Sequence, residues 1–403
     1  MSVSASPLHL EPGQRLRARL GEMGALGECQ AWVEGQVLWV FGGIPGEEAV
    51  VEVVRRRRGY VSARVVEVVE PSPHRVTPPC PYFWPCTGCQ WQHIAYPHQL
   101  RLKRERVVQA LQTALAGTPV RETLPSPLEF GYRNHARFTI GPQGKVGFVN
   151  RMTREFVEVH TCLLMHPGIN SVLAHLQGRC AETTQLSIRY GVNTGQVLIQ
   201  PALQEPSITL PTGQKAYEEV LLGRRFRVAS SSFFQVNTLQ AEQMVLAVRD
   251  ALALNGRGVL VDAYAGVGTF AILLAPYVER VIAIEESASA IEDARLNAYG
   301  LATIEFRQGK VEEVLPTLQE RPDAMVVDPP RQGCHPRALD ALNHLRVPRM
   351  VYVSCDLDAL VRDLAVLARG AYRVEWVQPV DMFPQTHHIE CLALLTLRSG
   401  ETH

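Results

Sequence analysis

The sequence predicts an α/β protein: a doubly wound, mostly parallel sheet in its C-terminal part, a small barrel at its N-terminus and a β-rich segment between them. Three observations predict this. From about Phe233 onward, apolar runs of strand length alternate with helical stretches; the runs are Gly258 to Asp262, Arg280 to Glu285, Ala324 to Asp328 and Arg349 to Ser354. Uninterrupted apolar strands separated by helices suit a parallel sheet covered on both faces. Near the N-terminus, Gln36 to Phe41, Glu48 to Val54 and Ala63 to Val69 alternate apolar and polar residues, with Gly42-Gly43-Ile44-Pro45-Gly46 as punctuation. Period-two runs at that spacing read as a small antiparallel, OB-like barrel. Between the two, Ala136 to Ile140, Val146 to Val149 and Gln196 to Gln200 read as further strands.

Pro71-Ser72-Pro73 marks the first boundary. The expected domains are residues 1–72, the barrel; 73–232, a central β-rich domain; and 233–403, the α/β domain. A helix is expected from about His98 to Leu115, with Leu100, Val107, Val108, Leu111 and Leu115 on one face.

With 46% hydrophobic and 20% charged residues, the composition is that of an ordinary globular chain, which argues against disorder. No apolar run reaches the roughly 18 residues of a membrane span. Met1 to Pro7 lacks a basic stretch followed by an apolar core, so no secretory signal is expected. A cytoplasmic monomer is the expectation. Nine cysteines, an odd number, argue against a disulfide framework and for thiols that are reduced, ligating, catalytic or buried. The net charge of zero argues weakly against a nucleic-acid partner, but distribution matters more than the sum. Arg55 to Arg58 form one basic run, and Arg101, Lys103, Arg104 and Arg106 another. Each reads as a solvated face or as an electrostatic element; the first would suit single-stranded nucleic acid on the barrel.

In the C-terminal part, the strand ending at Asp262 runs into Ala263-Tyr264-Ala265-Gly266-Val267-Gly268-Thr269 and then a helix, and Glu285 closes the next strand. Glycines there allow close backbone approach, and an acidic residue there can accept from ribose hydroxyls. The third glycine of a dinucleotide fingerprint is missing, so S-adenosylmethionine, which has no pyrophosphate, is favoured over NAD. Asp328-Pro329-Pro330-Arg331 ends the third strand, where open α/β sheets bind ligands. That motif alone also fits an amino-methyltransferase; the nearby cysteine argues for carbon chemistry.

Cys355 ends the fourth strand ahead of an expected helix from Asp358 to Ala368, a place where a helix dipole favours the thiolate. Glu390 lies 35 residues later, with His387 and His388 as lesser candidates for a base. A thiolate adding to C6 of uracil makes C5 nucleophilic, and a base must then remove the C5 proton. Cys80, Cys86 and Cys89, with Cys162 at a distance, form a candidate ligand set for zinc or a [4Fe–4S] cluster; spacing alone does not decide which.

These motifs, in this order, resemble those of the RumA-type RNA (uracil-5)-methyltransferases, which act on large-subunit (23S) ribosomal RNA. The resemblance covers nearly the whole chain. It implies an RNA-binding TRAM domain at residues 8–71, a central iron–sulfur domain with Cys80, Cys86, Cys89 and Cys162 as [4Fe–4S] ligands, and a Rossmann-like S-adenosylmethionine methyltransferase domain. It assigns cofactor contacts to Gln235, in Ser232-Phe233-Phe234-Gln235-Val236-Asn237, and to Tyr264, Gly266, Gly268, Thr269, Glu285 and Asp328. Cys355 falls on the nucleophile and Glu390 on the base, and residues from about 91 to 123 are expected to pack on the catalytic domain. Leu357, Thr269 and Lys310 depart from the family pattern and bear on cofactor affinity. The expected partner is ribosomal RNA. Methylation of transfer RNA is the first rival, and a noncatalytic iron–sulfur RNA-binding or redox-sensing protein the second.

Overall fold

The structure, a computed structural model, describes residues 10–33, 35–57 and 59–398. It divides into two compact units. The first comprises residues 10–102, 149–155 and 383–388, and the second the remaining described residues.

The first unit is built on a closed barrel of β1 (Arg15–Met23), β2 (Cys29–Val33), β3 (Gln36–Phe41), β4 (Glu48–Arg57) and β5 (Tyr60–Glu70), in the order β1-β2-β3-β5-β4. Inward residues alternate along each strand, as in Ala49, Val51 and Val53 of β4, and meet Leu20, Leu38, Val40 and Ala63 in one core. Trp91, Ile94 and Leu102 add to that core. The barrel is not wholly antiparallel as expected: β3 and β5 pair parallel. Alternation of side chains is the same in either direction, so it cannot report strand polarity. The Gly42 to Glu47 turn is held by a buried ion pair: Arg75 donates to both carboxylate oxygens of Glu47, at 2.6 Å each, and to the Gly42 carbonyl. Ile44 N–H and Ser72 N–H also donate to Glu47. Burial alone would raise this carboxyl, but Arg75 and the two amides outweigh it and hold it below the ordinary range. Arg55, Arg56 and Arg57 are exposed at the end of β4; Arg58 lies outside the described residues.

The second unit carries a five-stranded sheet of β6 (His135–Ile140), β7 (Val146–Val149), β8 (Phe156–Glu158), β9 (Gln185–Tyr190) and β10 (Val197–Gln200), in the order β10-β9-β6-β7-β8. A hairpin of β11 (Ala216–Leu221) and β12 (Arg224–Ala229) follows. The largest element is a seven-stranded sheet of β13 (Val259–Ala263), β14 (Arg280–Glu285), β15 (Ile304–Gln308), β16 (Ala324–Val327), β17 (Arg349–Ser354), β18 (Tyr372–Val380) and β19 (Glu390–Leu397). Its order is β15-β14-β13-β16-β17-β19-β18. The strands β13 to β17 are parallel, and β19 enters antiparallel between β17 and β18. The chain order reverses between β13 and β16. Open α/β sheets bind ligands at the carboxyl ends of strands flanking such a switch point. Val261, Ile282, Met325, Met350 and Leu395 run through the core of this sheet, and Val107 and Leu111 of the helix Tyr96–Leu111 belong to the same core.

The second basic run is not a solvated patch. Lys103 is fully buried and donates to Asp381 Oδ1 at 2.6 Å, with neither side chain exposed. Arg104 donates twice to the Val120 carbonyl. Breaking one half of a buried pair leaves an uncompensated charge, so this lysine acts in the fold.

Candidate active site

The loop after β13 is shaped by its glycines. Gly268 caps the short helix Thr269–Leu274 at φ +86°, and a Cβ there would come within 2.8 Å of Ile272. Only glycine takes that backbone and that closeness together. Gly266 has φ +56°, with open space where its Cβ would stand, and its N–H donates to Glu285 Oε2 at 2.8 Å. Glu285 Oε1 accepts from Ser287 N–H, so the carboxylate is held between the two loops. Tyr264 stands at φ +69°, a strained setting for a side chain of that size. Thr269 opens the helix and is half-buried. Gln235 is half-buried in the turn before the helix Thr238–Leu252, and its carbonyl accepts from Asn134 Nδ2 at 3.0 Å.

Asp262 and Arg331 were not among the sequence candidates. Asp262 is fully buried; Oδ2 accepts from Ala271 N–H at 2.8 Å, and Oδ1 has no hydrogen-bond partner. Burial, then the charges of Asp328 and Glu285, push its carboxyl up to about 8, while the Ala271 amide opposes. Burial likewise pushes Asp328, at the end of β16, up to about 7. The signal for Asp262 was present, as an acidic residue closing an apolar strand before a glycine loop, but spacing did not show that one of its oxygens would be orphaned.

Cys355 and Glu390 come together through strand register. β17 and β19 pair with Val353 opposite Leu392 and Ser354 opposite Cys391. Cys355 and Glu390 each adjoin that last pair, so the register brings them to the same end of the two strands. Cys355 is exposed at the end of β17, whereas Glu390 is buried. Their protonation departs from expectation. Although Cys355 as a whole is exposed, partial desolvation of its thiol, then the charges of Glu390 and Asp328, push it up to about 11, with Arg331 opposing. The helix that was to favour the thiolate, Leu357–Arg369, is capped instead by Asp356, whose carboxylate accepts from Ala359 N–H at 2.9 Å. An anionic cap occupies the positive end of the dipole. Glu390 is raised well above the ordinary carboxylate range by burial and by Asp328, with Arg331 again opposing. His387 and His388 belong to the first unit, where His387 Nδ1 lies 3.1 Å from Gln90 Oε1.

Among the described residues, no three His, Cys, Asp or Glu side chains gather to hold a metal ion. Cys80, Cys86 and Cys89 fall in the first unit and Cys162 in the second, and all four are half-buried. Among the described residues no helix is long and apolar enough to cross a membrane.

A family model described as tRNA (Uracil-5-)-methyltransferase matches residues 221–398. A protein of Gloeobacter violaceus named uncharacterized RNA methyltransferase is 34% identical, over 96% of this chain and 98% of its own length. One of Listeria monocytogenes with the same description is 32% identical, over 96% and 98%. The crystal structure of the Pyrococcus abyssi tRNA (uracil-54, C5)-methyltransferase in complex with S-adenosyl-L-homocysteine is similar with a TM-score of 0.76 and 26% identity, over 94% of this chain and 100% of that one. With an exposed thiol set against a buried carboxyl beside a glycine loop at the switch point, and with these similarities over nearly its full length, the chain belongs to the RNA (uracil-5)-methyltransferase family.

Proposed function

We propose that the chain methylates C5 of uracil in RNA through a covalent bond between Cys355 and C6 of the ring. The observation that carries this is the β17–β19 register, whose last pair is Ser354 with Cys391, next to Cys355 and Glu390, with the charges of Glu390 and Asp328 both acting on the thiol. The cofactor residues fit a nucleoside methyl donor. Glu285 can take ribose hydroxyls, Gly266 leaves room for close approach, and the orphaned Asp262 Oδ1 is a buried acceptor in want of a donor. When bound, S-adenosylmethionine supplies the methyl group that C5 takes.

This chain's own groups do the rest. The exposed thiol gives up its proton to solvent water, and the Cys355 sulfur forms a bond to C6 while the ring's C5–C6 π electrons move onto C5 and O4. Arg331, whose charge favours the anionic sulfur, stabilises the thiolate on its way in and out. After C5 is methylated, Glu390 takes the C5 proton, the C5–C6 double bond re-forms and the sulfur leaves as thiolate. The ring must be turned out of its stack for the sulfur to reach its face. Phe233 supports that step as a platform for a base: it is 72% exposed, two residues from Gln235.

Ribosomal RNA is our first reading of the substrate, on the resemblance carried by the four cysteines. Transfer RNA is the second, supported by the similarity to the Pyrococcus abyssi enzyme. One experiment separates them. Ribosomal and transfer RNA made with 5-fluorouridine are each incubated with the protein and S-adenosylmethionine. Fluorine cannot leave as a cation, so the adduct persists, and digestion should yield a methylated nucleotide on the Cys355 peptide from one RNA class. An adduct on another peptide, or none with either RNA despite bound cofactor, would sink the mechanism.

The cluster is inferred from spacing and resemblance alone, and no step above uses it. Protein purified without oxygen should carry about four irons and four sulfides per chain if the quartet closes in solution. Iron-free protein with undiminished activity would remove the cluster from the reading.

A further inference from the structure

Away from the reacting atoms, the helix Leu357–Arg369 carries a carboxylate with no solvent exposure, Asp363. Its Oδ2 accepts from the Tyr352 hydroxyl at 2.6 Å and from Cys334 N–H at 2.7 Å. Its Oδ1 accepts from Arg362 Nε at 2.8 Å, and Arg362 reaches on to the Gln332 carbonyl at 2.6 Å. Between these anchors Gly333 stands at φ +78°; a Cβ there would come within 2.5 Å of Asp363 Oδ2 and 2.4 Å of Arg362 Nη2. The chain from Gln332 to Cys334 is thus pressed onto one carboxylate–guanidinium pair. Just ahead of it is Arg331, whose guanidinium acts on the Cys355 thiol and lowers its pKa. Just after it, the buried Cys334 belongs with Tyr352 to one core cluster, Tyr264 packs against that cluster, and both tyrosine hydroxyls act on the Cys334 thiol. Tyr264 is the residue held at positive φ on the glycine loop.

We propose that Asp363 is a positioning residue for methyl transfer: one buried carboxylate holds the loop that brings Arg331 to Cys355 and, through the Cys334 thiol, fixes Tyr264 on the cofactor loop. The two halves of the site, nucleophile and donor pocket, are referred to a single anchor on a third element. A buried carboxylate accepting three hydrogen bonds is a costly and directional fixture, suited to setting geometry rather than only filling space. The strained Tyr264 backbone persists because that network over-determines it. This inference rests on the methyl-donor reading given above.

The test uses the full chain and three variants. Arg362→Gln alters a side chain that is 55% exposed, so the fold should tolerate it. Asp363→Asn keeps the shape and removes the charge; Tyr352→Phe removes one hydroxyl. Two readouts need no RNA. The first is the rate of Cys355 alkylation by iodoacetamide against pH, followed on the Cys355 peptide by mass spectrometry. The charged groups acting on that thiol are Glu390, Asp328 and Arg331, and all three remain in every variant. The second is the Kd for S-adenosylhomocysteine by calorimetry.

Arg362→Gln should move the alkylation profile to higher pH and slow the reaction at pH 8 by about threefold to tenfold, because Arg331 loses its seat. Tyr352→Phe should leave that profile in place and weaken cofactor binding about fivefold to tenfold. Asp363→Asn should show both effects. A merely structural carboxylate would lower the melting temperature while leaving both readouts at wild-type values, and that result would overturn the proposal. Should Asp363→Asn fail to fold, the split between the other two variants decides. Wild-type protein that binds no S-adenosylhomocysteine would instead refute the methyl-donor reading, with the alkylation arm still testing the Arg331 half.

Discussion

Cys355→Ala abolishes methyl transfer, with an expected loss on the order of 10⁴-fold or more, because no other group can form and release the C6 bond. Uracil C5 is a weak nucleophile until C6 is saturated, so the loss should fall on kcat, with RNA and cofactor affinity retained. The measurement is transfer of a radiolabelled methyl group to RNA, paired with the 5-fluorouridine trap, which should yield no adduct. The expected size follows from the exposed position of this thiol at the end of β17, facing the site with Arg331 beside it. Activity within tenfold of wild type would rule out covalent catalysis by Cys355.

Glu390→Gln separates the two halves of the reaction. The amide cannot take the C5 proton, so adduct formation proceeds and release stalls. Ordinary uridine RNA should then remain attached to the protein on a denaturing gel, with turnover down about 10²- to 10⁴-fold. A variant that turns over normally, or that slows without accumulating adduct, would deny Glu390 the role of base. The pH dependence follows from its environment. Burial and Asp328 raise the Glu390 carboxyl well above the ordinary range, so the basic form grows as pH rises and kcat should rise with it. In Glu390→Gln that limb disappears.

The same shift has a stability sign. The folded chain holds a proton that the unfolded chain releases once pH passes the ordinary carboxylate range, so Glu390 costs stability as pH rises from there through its raised value. Glu390→Gln should therefore melt higher than wild type at pH 8, and the difference should vanish near pH 4. Asp262, raised to about 8, and Asp328, raised to about 7, act in the same direction over the interval above the ordinary carboxylate range. Activity at this sheet edge is maintained against stability.

Much of the frame was legible along the chain. Arg280–Glu285 and Arg349–Ser354 were expected with the bounds they have, because uninterrupted β-branched and apolar runs have one comfortable place in a covered parallel sheet. The strands that escaped notice were the two edge strands, β15 and β18, and β19, which lies beside β18. β15 is only half-buried and reads Ile-Glu-Phe-Arg-Gln. β18 carries Pro379 and an irregularity between Val374 and Trp376, features that a sheet tolerates at its margin and that argue against a strand when read locally. Overlooking β18 and β19 hid the reason that Glu390 matters, since only the antiparallel entry of β19 beside β17 brings it to the same end as Cys355. Lys103 misled in the opposite sense. Its neighbours in sequence are basic and suggest a charged surface, but its partner, Asp381, lies 278 residues away and both are buried.

By itself the sequence determined the α/β class with an N-terminal barrel and the family to which the chain belongs, because these are carried by residue type and spacing. Tertiary structure decided the protonation of Cys355 and Glu390, the burial of Lys103 and the anchoring of the site on Asp363. The physical reason is that a charge responds to what surrounds it in space. Desolvation and the fields of Asp328, Arg331 and Glu390 act across strands and loops that come together only when the sheet closes.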